Sequence, residues 1–71
     1  MVQKDWKKNN DDEIGFSFIN KKLHLEIDYS IKMKRLQVYR HYKNISDIII
    51  SKHIKTKSQA LKYAKSYMRK H

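Results

Sequence analysis

The side chains of this sequence best equipped for chemistry are cationic. After Tyr29 come Lys32, Lys34, Arg35, Arg40, Lys43, Lys52, Lys55, Lys57, Lys62, Lys65, Arg69 and Lys70, against a single acid, Asp47. A surface of that sign raises the local concentration of polyanions, and phosphate backbones bind it largely by releasing their counterions. The formal net charge of +10 is unevenly placed. Residues 1–13 set Lys4, Lys7 and Lys8 against Asp5, Asp11, Asp12 and Glu13, and residues 14–29 balance Lys21 and Lys22 with Glu26 and Asp28. A codon bias toward Lys would spread lysines evenly and would not thin the acids from one part of the chain.

A second set of groups could in principle carry catalysis: His24 and His41 with Glu26 and Asp28. General acid–base chemistry needs a base oriented by a third group inside an enclosure. A flat sheet encloses little, so solvated histidines are expected here, with no catalytic residue and no small-molecule substrate. The four histidines, His24, His41, His53 and His71, show no metal-ligand spacing, and there is no Cys. No metal, cofactor or disulfide is therefore expected.

The elements that must hold these residues are legible from hydrophobic period. Residues 1–13 show none and read as a mobile charged tail, with Trp6 as its one large apolar group. Trp6 is expected to dock on the domain, because its ring gains most from burial; contact with a ligand is the alternative. From residue 14 the chain reads as one domain. Ile14, Phe16 and Phe18 alternate with Gly15, Ser17 and Ile19, and a tight turn is expected at Asn20-Lys21. Leu23, Leu25, Ile27 and Tyr29 then alternate with polar residues, completing a hairpin. A third strand is expected over Arg35 to Tyr42 and a fourth, well covered, over Asp47 to His53, where Ile48-Ile49-Ile50 is short and β-branched.

At the end the period changes. Thr56-Lys57-Ser58-Gln59 has the form of a capping box, and Ala60, Leu61, Ala64, Tyr67 and Met68 fall on one helical stripe. The expected fold is α+β: a single antiparallel sheet of three to four strands with one C-terminal amphipathic helix packed on one face, in the order β-β-β-β-α. Phe16, Phe18, Leu23, Leu25, Ile27, Leu36, Val38, Ile48 and Ile50 should meet Leu61, Ala64 and Met68.

The helix would leave the other face open, with Ser17, Lys22, His24, Glu26, Arg35, Gln37, Tyr39, His41 and Ser51 on it. A sheet of that composition could lie on nucleic acid, with cations on phosphate, Gln37 on a base edge and Tyr39 stacking. The expected contact residues are Lys22, His24, Lys34, Arg35, Gln37, Tyr39, Arg40, His41, Lys43, Lys52, Lys55 and Lys57. Glu26 and Asp28 would repel phosphate from the same face.

Two stretches carry a resemblance. Leu36-Gln37-Val38-Tyr39-Arg40 is similar to an aromatic and basic middle strand, and His53-Ile54-Lys55-Thr56-Lys57-Ser58-Gln59-Ala60 to the entry into a final helix. Both resemble the N-terminal arm-site DNA-binding domains of tyrosine-recombinase integrases, over about residues 36–68. Those domains insert a three-stranded sheet into the major groove with a helix behind it. The resemblance implies DNA as partner and Arg35, Gln37, Tyr39 and Arg40 as DNA-facing candidates, although strict alternation puts Arg40 on the helix side. It does not imply recombinase activity.

The sequence thus predicts a small, non-enzymatic, basic nucleic-acid-binding module, with DNA favoured over RNA, of the kind a phage, plasmid or other mobile element encodes. The alternative is a small phage or plasmid interaction protein that binds and inhibits a host protein such as a nucleic-acid enzyme. No apolar run is long enough for a membrane span, residues 1–13 lack the apolar centre of a secretory signal, and nothing demands oxidation. A cytoplasmic location, with no membrane partner, is the expectation.

Overall fold

The computed structural model describes residues 5–70. Five strands precede one helix: β1 (Trp6–Asp11), β2 (Gly15–Asn20), β3 (Leu25–Ser30), β4 (Arg35–His41), β5 (Ser46–His53) and α1 (Lys57–Lys70). The strands form one antiparallel meander in the order β1-β2-β3-β4-β5, and α1 lies across one face. The fold is α+β as expected, with five strands in place of three to four. No helix among the described residues is long and apolar enough to cross a membrane.

The additional strand is β1, in the stretch read as a tail; residues 1–4 of that stretch, and His71, lie outside the described residues. β1 pairs along β2, with Trp6 opposite Asn20 and Asp11 opposite Phe16. Its sequence, WKKNND, shows no alternation because only Trp6 reaches the core. The other residues sit on a sheet edge, where the backbone pairs on one side and water takes the rest. Trp6 is buried and its ring meets Tyr67 of α1 edge-on, with centroids 6.3 Å apart. Docking is therefore the outcome for this side chain.

The core is built from alternate residues. Phe16, Phe18, Leu25, Ile27, Tyr29, Leu36 and Val38 face the helix, which returns Ala60, Ala64 and Met68. Leu61, Tyr63 and Tyr67 flank the stripe half-buried. The two small alanines let the helix backbone approach the sheet. Tyr29 packs its ring on Phe16 at 5.5 Å and donates its hydroxyl to the carbonyl of Ile54, which ties the approach to the helix onto the sheet. Gly15 is required by contact: a Cβ there would lie 1.8 Å from the Tyr29 carbonyl oxygen.

The β2–β3 turn departs from the expected tight hairpin, and the β3–β4 turn repeats its design ten residues later. Lys21–His24 and Ile31–Lys34 each form a four-residue turn. The Leu23 N–H donates to Asn20 Oδ1 at 3.0 Å, and the Met33 N–H to Ser30 Oγ at 3.3 Å. Each turn closes on a left-handed residue, His24 at φ 58° and Lys34 at φ 53°. Leu23, expected in a strand and in the core, is consequently exposed in the first of these turns, and Ile14 is exposed in the β1–β2 turn. There Asp12 Oδ1 accepts from the N–H groups of Ile14 and Gly15.

The last strand also differs from expectation. β5 pairs only with β4 and is an edge strand, exposed at nearly every position, not a covered one. Val38 opposes Ile50 and Tyr39 opposes Ile48, so Ile49 is an extra residue, a β-bulge. The bulge turns Ile48 to the face opposite the helix, where it is 54% exposed, while Ile50 stays on the core side. Thr56 caps the helix as the sequence predicts: its hydroxyl accepts from the Gln59 N–H at 3.2 Å.

Candidate nucleic-acid interface

The face away from α1 carries Ser17, Glu26, Asp28, Arg35, Gln37, Tyr39, His41, Ser46 and Ser51, placed by the strand registers. Lys22 and His24, expected on it, lie instead in the β2–β3 turn. Its polar groups are mostly engaged with one another. His41 Nε2 meets Glu26 Oε1 at 2.8 Å and His41 Nδ1 meets Ser46 Oγ at 2.7 Å. The Tyr39 hydroxyl donates to Gln37 Oε1 at 2.6 Å, and Arg35 Nη1 donates to Ser51 Oγ at 2.9 Å. The Tyr39 and His41 rings stack, with centroids 6.2 Å apart.

The centre of this face is acidic. Glu26 and Asp28 stand two residues apart on β3, and the Asp28 carboxyl is pushed up to about 7, first by its burial and then by the neighbouring Glu26. Burial and the same two carboxylates raise the Tyr39 hydroxyl above its ordinary value. A carboxyl that holds its proton near neutrality marks a place short of compensating cations. A shallow depression of about 410 Å³ runs along it, between Asn9, Ser17, Asp28, Arg35, Gln37 and Tyr39. Among the described residues no group of three His, Asp or Glu is arranged to hold a metal ion.

The twelve expected contact residues are therefore not brought onto one surface. Arg35, Gln37, Tyr39 and His41 share the open face. Arg40 alternates onto the helix side opposite Asp47, as strict alternation requires. Lys22 and His24 occupy the β2–β3 turn and Lys43 the β4–β5 turn, at one end of the strands; Lys34 sits in the β3–β4 turn at the other. Lys57 is tied down: its Nζ lies 2.6 Å from Asp11 Oδ1 and 3.1 Å from the Asp12 carbonyl, which holds the Asp11 carboxyl below its usual range.

Lys52 and Lys55 belong to a different group. Lys52 Nζ sits 4.8 Å above the Tyr63 ring of α1. Lys52, Lys55, Gln59 and Tyr63 line one shallow depression where β5 passes into the helix. On the outer side of α1, Lys62, Lys65 and Arg69 follow at spacings of three and four, so they form one exposed stripe. No acid occurs between Ile48 and Lys70, and of the lysines in that stretch only Lys57 meets a carboxylate among the described residues. Lys62 and Lys65 are absent from the contact set expected from sequence. Their signal was present, since the stripe that packs the helix fixes which residues point out and none of those is acidic.

No protein-family model matches the chain, and no curated protein or solved structure matches it.

Proposed function

We propose that this chain is a cytoplasmic nucleic-acid-binding module that engages phosphate with the helix side of the molecule, through Lys52, Lys55, Lys62, Lys65 and Arg69, without catalysis. The observation that carries the reading is the acid-free run after Asp47, whose lysines other than Lys57 are exposed and have no carboxylate partner among the described residues. Lysines with no carboxylate partner cost little to bring to phosphate, because no ion pair must be broken first. A stripe from Lys62 to Arg69 is about 10 Å long at the helical rise, enough to track about three phosphates of one strand.

The open sheet face is a poorer phosphate surface. Glu26 and Asp28 sit at its centre, and Gln37 and Tyr39 would have to release each other before reading a base. This moves the proposed contact off the sheet, away from the arrangement that the arm-site resemblance implies; that resemblance still favours DNA over RNA as partner. Titration with duplex and single-stranded oligonucleotides at two salt concentrations, followed by amide chemical shifts, tests the assignment. Shifts should centre on residues 52–69. Shifts centred on Glu26, Asp28, Gln37 and Tyr39 would overturn it.

A further inference from the structure

The two edges of the sheet are unlike. β1 presents Lys7 and Lys8 on its exposed edge, the usual protection against pairing with another chain. β5 presents Ile48-Ile49-Ile50, with Ile48 54% and Ile49 41% exposed and no lysine before Lys52. Among the described residues, no strand lies beside its outer backbone groups. The eight-residue β5 edge carries a bulge and the charges of Asp47 and Lys52, but its exposed isoleucines make it the more apolar of the two edges and the one suited to an occupant.

We infer that the occupant is a second copy of this chain, with β5 pairing antiparallel to β5 of its partner about a two-fold axis at Ile50, to give a continuous ten-stranded sheet. The argument is one of register and charge. Set against β4, β5 offers ladder positions at Ser46, Asp47, Ile48, Ile50, Ser51, Lys52 and His53, with Ile49 bulged out. Ile50 is the middle position. A two-fold there is the register that uses the whole strand, and it also places Asp47 opposite the partner's Lys52 on the helix side, twice by symmetry. Asp47 is the one acid after Asp28. Moving the axis to Ile48 or Ser51 shortens the ladder and loses both ion pairs. The exposed Ile48 and Ile49 would then lie beside the seam, where the partner covers them.

This dimer does not depend on nucleic-acid binding, although it engages Lys52, which leaves Lys55, Lys62, Lys65 and Arg69 for phosphate, and salt separates the two. Each copy carries +10, so added salt should strengthen self-association by screening repulsion while it weakens phosphate binding. The test is sedimentation equilibrium of the chain up to millimolar concentration, in dilute buffer and in about 0.3 M salt. The expected result is a mass of twice the 8.7 kDa of one chain, more complete at the higher salt. D47K should return the mass to that of a monomer, and the charge-swapped D47K/K52D should restore the dimer. I49K, at an exposed position, gives a second disruptive variant should D47K fold poorly beside Arg40. A monomeric wild type at every concentration, or a dimer indifferent to D47K and I49K, overturns the inference.

Discussion

Replacing Asp28 by Asn should stabilise the protein, and only above the pH at which a free carboxyl ionises. The ordinary value is 3.8, and in the folded chain burial and Glu26 push this group up to about 7. The folded state therefore binds the proton more tightly than the unfolded state. Stability from this group is fully present below pH 3.8 and is lost as the pH rises toward 7. A shift of that size would be worth about 4 kcal/mol for an isolated buried group. Asp28 is only half-buried and shares its shift with Glu26, so screening reduces the effect to about 1–2 kcal/mol. Asn keeps the shape, carries no charge and can donate to Glu26. Urea denaturation of wild type and Asp28→Asn at intervals from pH 4 to 8 reads the difference directly. The two stabilities should coincide near pH 4 and separate by about 1–2 kcal/mol in favour of the variant at pH 8. A difference that is flat across this range, or a variant weaker at pH 8, would refute the placement of Asp28 in an acid-rich, cation-poor site.

Gly15→Ala should abolish folding or cost more than about 3 kcal/mol by denaturation, because the new Cβ meets the backbone carbonyl of Tyr29 and no flexible side chain can yield. Lys34→Gly should raise stability by about 0.5–1 kcal/mol, since φ 53° strains any residue with a Cβ; a loss of stability would contradict the left-handed turn. Trp6→Ala should cost about 3–5 kcal/mol, whereas Trp6→Phe should cost far less, because the buried Nε1 has no hydrogen-bond partner among the described residues. If Trp6→Ala leaves the melting temperature unchanged, β1 is not docked as described.

How far the sequence disclosed this fold depends on where each residue sits. Strands with one face on the core, β3 and β4, alternate cleanly, and Leu25, Ile27, Leu36 and Val38 fall where expected. The helix was equally legible, because Ala60, Ala64 and Met68 recur at its period and Thr56 caps it. The edges were not. β1 buries one residue, so backbone pairing, which leaves no mark in residue type, is what makes it a strand. In β5 three consecutive isoleucines read as deep burial, yet a one-residue bulge at the sheet edge sends Ile48 outward. The turn after Asn20 looked two residues long because nothing in the sequence announces that His24 takes a left-handed conformation. For the candidate site, total charge was plain and its distribution was not. Turn and strand lengths decide which lysines share a surface, and the neutralisation of Lys57 by Asp11 depends on a strand that the sequence hid.

The most direct test of the binding account is the salt dependence of affinity for duplex DNA, measured for the wild type and for Lys62→Glu/Lys65→Glu, whose exposed positions spare the core. Contact with three to five phosphates predicts that log K falls against log salt with a slope of about −3 to −4.5, and that the double variant binds more weakly with a slope shallower by about 2. A slope near zero, or one unchanged in the double variant, would contradict phosphate binding through the helix side.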